Sequence, residues 1–170
     1  MIPLLGWLTG TTVAMALLIW WPRPAGGNSA RRRTATLLQR AAACHVLGFL
    51  LWTLLLGIDP ADNLLYLVLL VLGIFGAISL VPFALGMLGL DLGRRWVGVA
   101  GGILAVLFPA GLTGFALLTL LGIYGGGVPL WRAVPALGTV LLSGASVWLV
   151  LEAYAMMRAP RVRPEGKTGE

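Results

Sequence analysis

The sequence predicts an all-α, multi-pass transmembrane helical bundle of about five spans, with the N-terminus outside and the C-terminus in the cytoplasm. Three observations lead there. Of 170 residues, 59% are hydrophobic and 11% charged, where a soluble domain carries about a quarter charged residues. The apolar residues gather in runs of about 20 or more, enough to cross about 30 Å of hydrocarbon. The charges lie between and after those runs, and the mean hydropathy is +0.94. The net charge of +6 therefore does not describe a nucleic-acid-binding face, and no nucleic-acid partner is expected.

The first span is residues 2–21, ending at Trp21-Pro22-Arg23, where aromatic, helix-ending and charged residues meet. No Lys or Arg precedes it and no A-x-A site follows, so it reads as a retained helix and not a signal peptide. Ala41-Ala42-Ala43 before Cys44 opens a hydrophobic run instead of closing one, which argues against a lipoprotein box. Residues 24–40 hold Gly26-Gly27 and Arg31-Arg32-Arg33. The glycines make this stretch irregular, the arginines keep it in water, and the second helix is expected to start at the interface within 34–39.

The second span covers 41–58. Asp59-Pro60-Ala61-Asp62 follows as a tight turn, since Pro60 cannot continue a helix and Asp62 suits an N-cap. The third span, 63–90, is long enough to tilt or to kink at Pro82. Asp91 to Arg95 is a polar break before the fourth span, 96–124, which contains Pro109. Gly125 to Arg132 reads as a plain outer loop or one that dips into the membrane. The fifth span is 134–157. Residues 1–157 thus form one five-span domain, and 158–170 a disordered basic cytoplasmic tail.

With five spans, the first loop, the third loop and the tail share one side and hold eleven of the twelve basic residues. The other side has only Arg132. The positive-inside rule makes the basic side cytoplasmic. Interfacial aromatics agree, with Trp20, Trp21, Trp96 and Tyr154 near the inner boundary and Trp7, Tyr66, Tyr124 and Trp131 near the outer one. Trp52 and Trp148 fall deeper, between helices or against acyl chains. Leu72 to Gly76 resembles Leu121 to Gly125, a match that Leu- and Gly-rich chains produce by chance. In composition alone, the apolar helices, arginine-bearing breaks and basic tail resemble those of many bacterial inner-membrane proteins. The cell inner (plasma) membrane is the expected location.

Gly6 and Gly10, Gly89 and Gly93, and Gly98 and Gly102 have G-x-x-x-G spacing, which lets a second backbone approach closely. They serve packing among the chain's own helices, or contact with a partner or a second copy. His45 is the one histidine. It is expected near the cytoplasmic end of span two, at the depth of Met15 and Met87, where it either bonds a neighbour's carbonyl or ligates a haem. Glu152 is the one acid inside a span, and intramembrane acids mark ion or proton paths by default. Its place six residues before Arg158 also allows pairing at the interface. Pro82 and Pro109 free carbonyls that either shape packing or build ion sites. Arg31, Arg32 and Arg33 set topology and attract anionic headgroups of the bilayer.

A lone Cys44 excludes an intramolecular disulfide. P-loop, dinucleotide and metal-spaced motifs are absent from the sequence, and Ser79, Ser143 and Ser146 read as polar contacts between helices. No enzyme activity and no cofactor are expected. The leading reading is a non-catalytic accessory or scaffold protein acting through helix packing, with a partner membrane protein or as a homo-oligomer. The alternatives are a small transporter or channel with Glu152 near the path, and a haem-bearing electron-transfer subunit using His45.

Overall fold

A computed structural model describes residues 2–21, 29–55, 77–127 and 129–158. Among them are five α-helices, one short 3-10 turn and no strand. We number the helices α1 (Ile2–Trp20), α2 (Ser29–Leu55), α3 (Ala77–Asp91), α4 (Arg95–Tyr124) and α5 (Ala133–Arg158). Three stretches are long and apolar enough to cross a membrane: Ser29–Trp52, Trp96–Tyr124 and Leu130–Met156. Gly10–Trp20 and Ile78–Asp91 are shorter apolar helices. Residues 56–76, which hold the expected Asp59–Asp62 turn, Tyr66, the first half of span three and the Leu72–Gly76 match, lie outside the described residues, as does the tail 159–170.

One expectation is corrected. The second helix begins at Ser29, well before the 34–39 start expected from the glycines and arginines. Ala and Arg are good helix formers, and the charged segment is held by tertiary contacts. Thr34 and Thr36 return their hydroxyls to the carbonyls of Ala30 (2.9 Å) and Arg32 (3.0 Å). Gln39 donates to the carbonyl of Ile19 at 2.9 Å, satisfying a C-terminal group of α1 that has no partner within its own helix. Thr34, Ala35, Leu37 and Leu38 are buried against the other helices.

Among the described helices, those consecutive in the chain alternate in direction. The ends of α1 and α3 lie together, with Leu17, Leu18 and Trp21 sharing a shallow cleft of about 360 Å³ with Asp91. The α3–α4 hairpin turns at Gly93, whose φ of +66° suits a residue without Cβ. Beyond the turn the two backbones nearly touch. A Cβ on Gly89 would overlap the backbone of Gly98, and one on Gly101 would come within 2.5 Å of the Gly86 nitrogen and 2.9 Å of the Pro82 carbonyl oxygen. Pro82 and Pro109 are both buried within their helices. At the far end, α4 closes with a Schellman motif: Gly126 has φ +74°, its N–H bonds the Ile123 carbonyl at 3.0 Å, and the Gly127 N–H bonds that of Gly122 at 3.0 Å. The 3-10 turn Leu130–Arg132 then leads into α5, so the described part of Gly125–Arg132 is a tight surface turn.

Among the described residues the most extensive helix contact is α2 against α5. Its register is antiparallel, with Ser146 donating to the Ala41 carbonyl at 2.8 Å and Thr139, whose hydroxyl bonds the Pro135 carbonyl of its own helix at 2.8 Å, lying 3.4 Å from that of Gly48. On α5 the buried positions are Ala136, Thr139, Ser143, Ser146, Val150 and Ala153, a three-four spacing that gives one narrow stripe. The opposite face, with Leu137, Leu141 and Trp148, is exposed. Trp52 lies between helices, beside Phe49 and edge-on to Phe115 at 5.7 Å.

Gly101→Ala should lower stability by about 1–3 kcal/mol, the cost of overpacking. Gly111→Ala, with open space around it, should be neutral or gain up to about 1 kcal/mol from helix propensity. Thermal unfolding in mild detergent checks the pair. Equal behaviour of the two variants would contradict the backbone contact.

Candidate functional site

Polar side chains inside the bundle gather on the α2–α5 seam. His45 follows Ala41 by one turn of α2 and is 1% exposed. Its ring stacks on Phe83 of α3 with centroids 5.6 Å apart and planes inclined by 28°. Neither ring nitrogen has a hydrogen-bond partner among the described residues, and the hydroxyl of Ser143 is likewise buried without one. The expected bond from His45 to a neighbour's carbonyl is therefore not made there. Ser143 faces Gly48, where a Cβ would stand 2.9 Å from its Oγ. Seam chemistry is thus an imidazole and a hydroxyl without a carboxylate. Glu152 is nine residues from Ser143 on α5, about 13 Å along the helix axis, too far to orient a base.

Phe83 stacks on one face of the imidazole, and both ring nitrogens, the in-plane atoms through which an iron would be ligated, are buried. Met87 is buried in a separate cluster with Leu38 and Ala153, while Met15 packs against the cluster that holds Phe83. Cys44 is half-buried and unbridged. Among the described residues no group of three or more His, Cys, Asp or Glu side chains is placed to hold a metal ion.

Glu152 sits at the bundle end. Its side chain is 37% exposed and stands 3.8 Å from the Arg33 guanidinium. Arg31 pairs with Asp91 at 3.3 Å. Exposed pairs of this kind contribute about 0–1 kcal/mol, so they align the ends of α2, α3 and α5 more than they stabilise them. Around Glu152 opens a cleft of about 690 Å³ lined by Arg32, Arg33, Thr36 and Arg40 from α2 and Leu149 from α5.

The glycines separate by role. Gly98 backs onto Gly89, and a Cβ on Gly102 would meet the ring of Tyr154 at 3.5 Å. Gly93 forms the hairpin turn, and Gly10 has open space around it. Gly6 lies on α1 ahead of the residues whose packing is described. Sequence reasoning overlooked Thr139 and the convergence of Arg40 with Arg32 and Glu152. The four-residue spacing of Arg32, Thr36 and Arg40, which puts them on one helix face, was the available signal.

His45→Leu should leave thermal stability unchanged or raise it by about 1 kcal/mol, because an unpartnered buried polar group costs about 1–3 kcal/mol. A loss above about 2 kcal/mol in detergent melts would mean that the imidazole bonds something the seam itself does not supply. In comparisons with protein-family models, curated proteins and solved structures, none matches this chain.

Proposed function

We propose that this chain is a five-span protein of a plasma membrane, the bacterial inner membrane by composition, with its N-terminus outside and its basic end in the cytoplasm. Its role is that of a non-catalytic accessory or scaffold subunit acting through helix packing. The observation that carries this reading is the α2–α5 seam, a stripe of small and hydroxylated residues packed along the facing helix. Ser146 donates to the Ala41 carbonyl of α2, Thr139 lies 3.4 Å from that of Gly48, and His45 is packed on Phe83.

Alternating helix directions support the span count. The orientation is supported by the meeting of Arg31 with Asp91 and Arg33 with Glu152 at one end, while Arg132 lies beyond the far turn. A transporter reading asks Glu152 to face a polar path through the bundle; its place beside Arg33 at the rim favours an interfacial role. A haem reading asks for open space in the ring plane at a His45 nitrogen, and both nitrogens are buried inside the bundle. The exposed apolar face of α5, with Leu137, Leu141 and Trp148, suits lipid, a partner helix or a second copy.

In a Cys44→Ser background, Ser29→Cys should react with a membrane-impermeant thiol reagent only after cells are opened, and Arg132→Cys in intact cells. Labelling of both from one side, or the reverse pattern, would overturn the topology. Mild-detergent purification should bring down a stoichiometric membrane partner or a defined homo-oligomer, unaltered in Glu152→Gln. A solitary monomer, or loss of a measured ion flux in Glu152→Gln, would overturn the accessory role.

A further inference from the structure

The cleft at the rim of α2 and α5 has the chemistry of a phosphate site. Arg32, Thr36 and Arg40 stand four residues apart on one face of α2, so the two arginines flank Thr36 about 12 Å apart along the axis. Guanidinium side chains span that distance from both sides to meet on one tetrahedral anion, which they bind through forked, charge-assisted hydrogen bonds. No ion pair forms between Arg32 or Arg40 and an acid among the described residues, in contrast to Arg31 with Asp91 and Arg33 with Glu152. The cleft also opens beside Ser29, the first residue of α2, where helix N–H groups add positive potential.

Position selects the source of the anion. Arg40 is the last charged residue before the uncharged stretch 41–58, so the cleft stands at the level of lipid headgroups if the chain spans a membrane, the reading on which this inference rests. Leu37 and Leu149 supply apolar wall against which the glycerol end of a lipid can lie. Glu152 is the one acid lining the cleft, and by engaging Arg33 it competes with an anion for that side chain. We propose that Arg32, Arg33, Thr36 and Arg40 form a binding site for the phosphodiester headgroup of an anionic membrane phospholipid, with Glu152 setting its strength.

The full chain, purified in a neutral detergent, is titrated by native mass spectrometry with phosphatidylglycerol, with phosphatidylcholine and with inorganic phosphate. At about 1 kcal/mol for each arginine near an anionic surface, Arg32→Gln with Arg40→Gln should weaken phosphatidylglycerol binding about 25-fold and leave phosphatidylcholine unchanged. Arg31→Gln, whose side chain pairs with Asp91 outside the cleft, should cost less than the factor of about five that this rule gives for one arginine free to meet the anion. Glu152→Gln should strengthen phosphatidylglycerol binding several-fold. Unaltered phosphatidylglycerol binding in the double variant, an equal loss in Arg31→Gln, or no gain in Glu152→Gln would overturn the proposal. Equal competition by millimolar inorganic phosphate would overturn the lipid as its source. A chain that stays in solution without detergent would instead overturn the membrane reading, and melting curves of each variant separate lost binding from lost fold.

Discussion

Helices surrounded by lipid gain little by hiding apolar side chains from their solvent, because acyl chains are as apolar as leucine. They associate when their backbones come close and when polar atoms find partners across the gap. The α2–α5 contact answers both needs, and much of the fold is arranged around it. Its α5 stripe is built of small and hydroxylated residues with one valine, and Ser146 addresses an α2 carbonyl directly while Thr139 lies within 3.4 Å of another. Hydrogen bonds of this type contribute about 0.6 kcal/mol each, so close packing over the length of the seam carries more of the stability than the bonds themselves. The α3–α4 hairpin repeats the solution with glycine alone, through Gly89 on Gly98 and Gly86 on Gly101.

Once α2 and α5 are antiparallel in this register, the charged ends follow. The amino end of α2 must lie beside the carboxyl end of α5, which brings Arg33 to Glu152 and leaves Arg32 and Arg40 around an open cleft. The hairpin turn after α3 meets the same end through Asp91 and Arg31. Packing in the apolar interior thereby fixes an electrostatic feature at the rim, several turns from the contacts that cause it. The same register puts His45 and Ser143 in the buried part of the seam, where neither finds a partner among the described residues.

Much of the fold class was legible because hydropathy and charge spacing report directly on the solvent of each segment. The boundaries of α1, α4 and α5 fall close to the apolar runs for that reason. The start of α2 was not legible: Arg31 to Arg33 look like a hydrated loop, and only Gln39 on Ile19 and the rim ion pairs reveal a helix continued out of the apolar zone. G-x-x-x-G spacing named Gly98 and Gly89, but separating them from Gly93 and Gly10 required knowing which helix faces which. Glu152 stood out as an acid in an apolar run, while its neighbours came from α2, more than a hundred residues earlier in the chain. Convergence of that kind has no local sequence signal.

The α2–α5 register is tested most directly by disulfide cross-linking in native membranes, in a Cys44→Ser background. A Cβ on residue 48 stands 2.9 Å from the Oγ of Ser143, about the 3 Å between a Cβ and the opposite sulfur in a relaxed disulfide. Gly48→Cys with Ser143→Cys should cross-link readily under mild oxidation, and Gly48→Cys with Gly144→Cys, one residue off the seam, should not. Equal cross-linking of the two pairs, or none in the first, would contradict the seam on which this account rests.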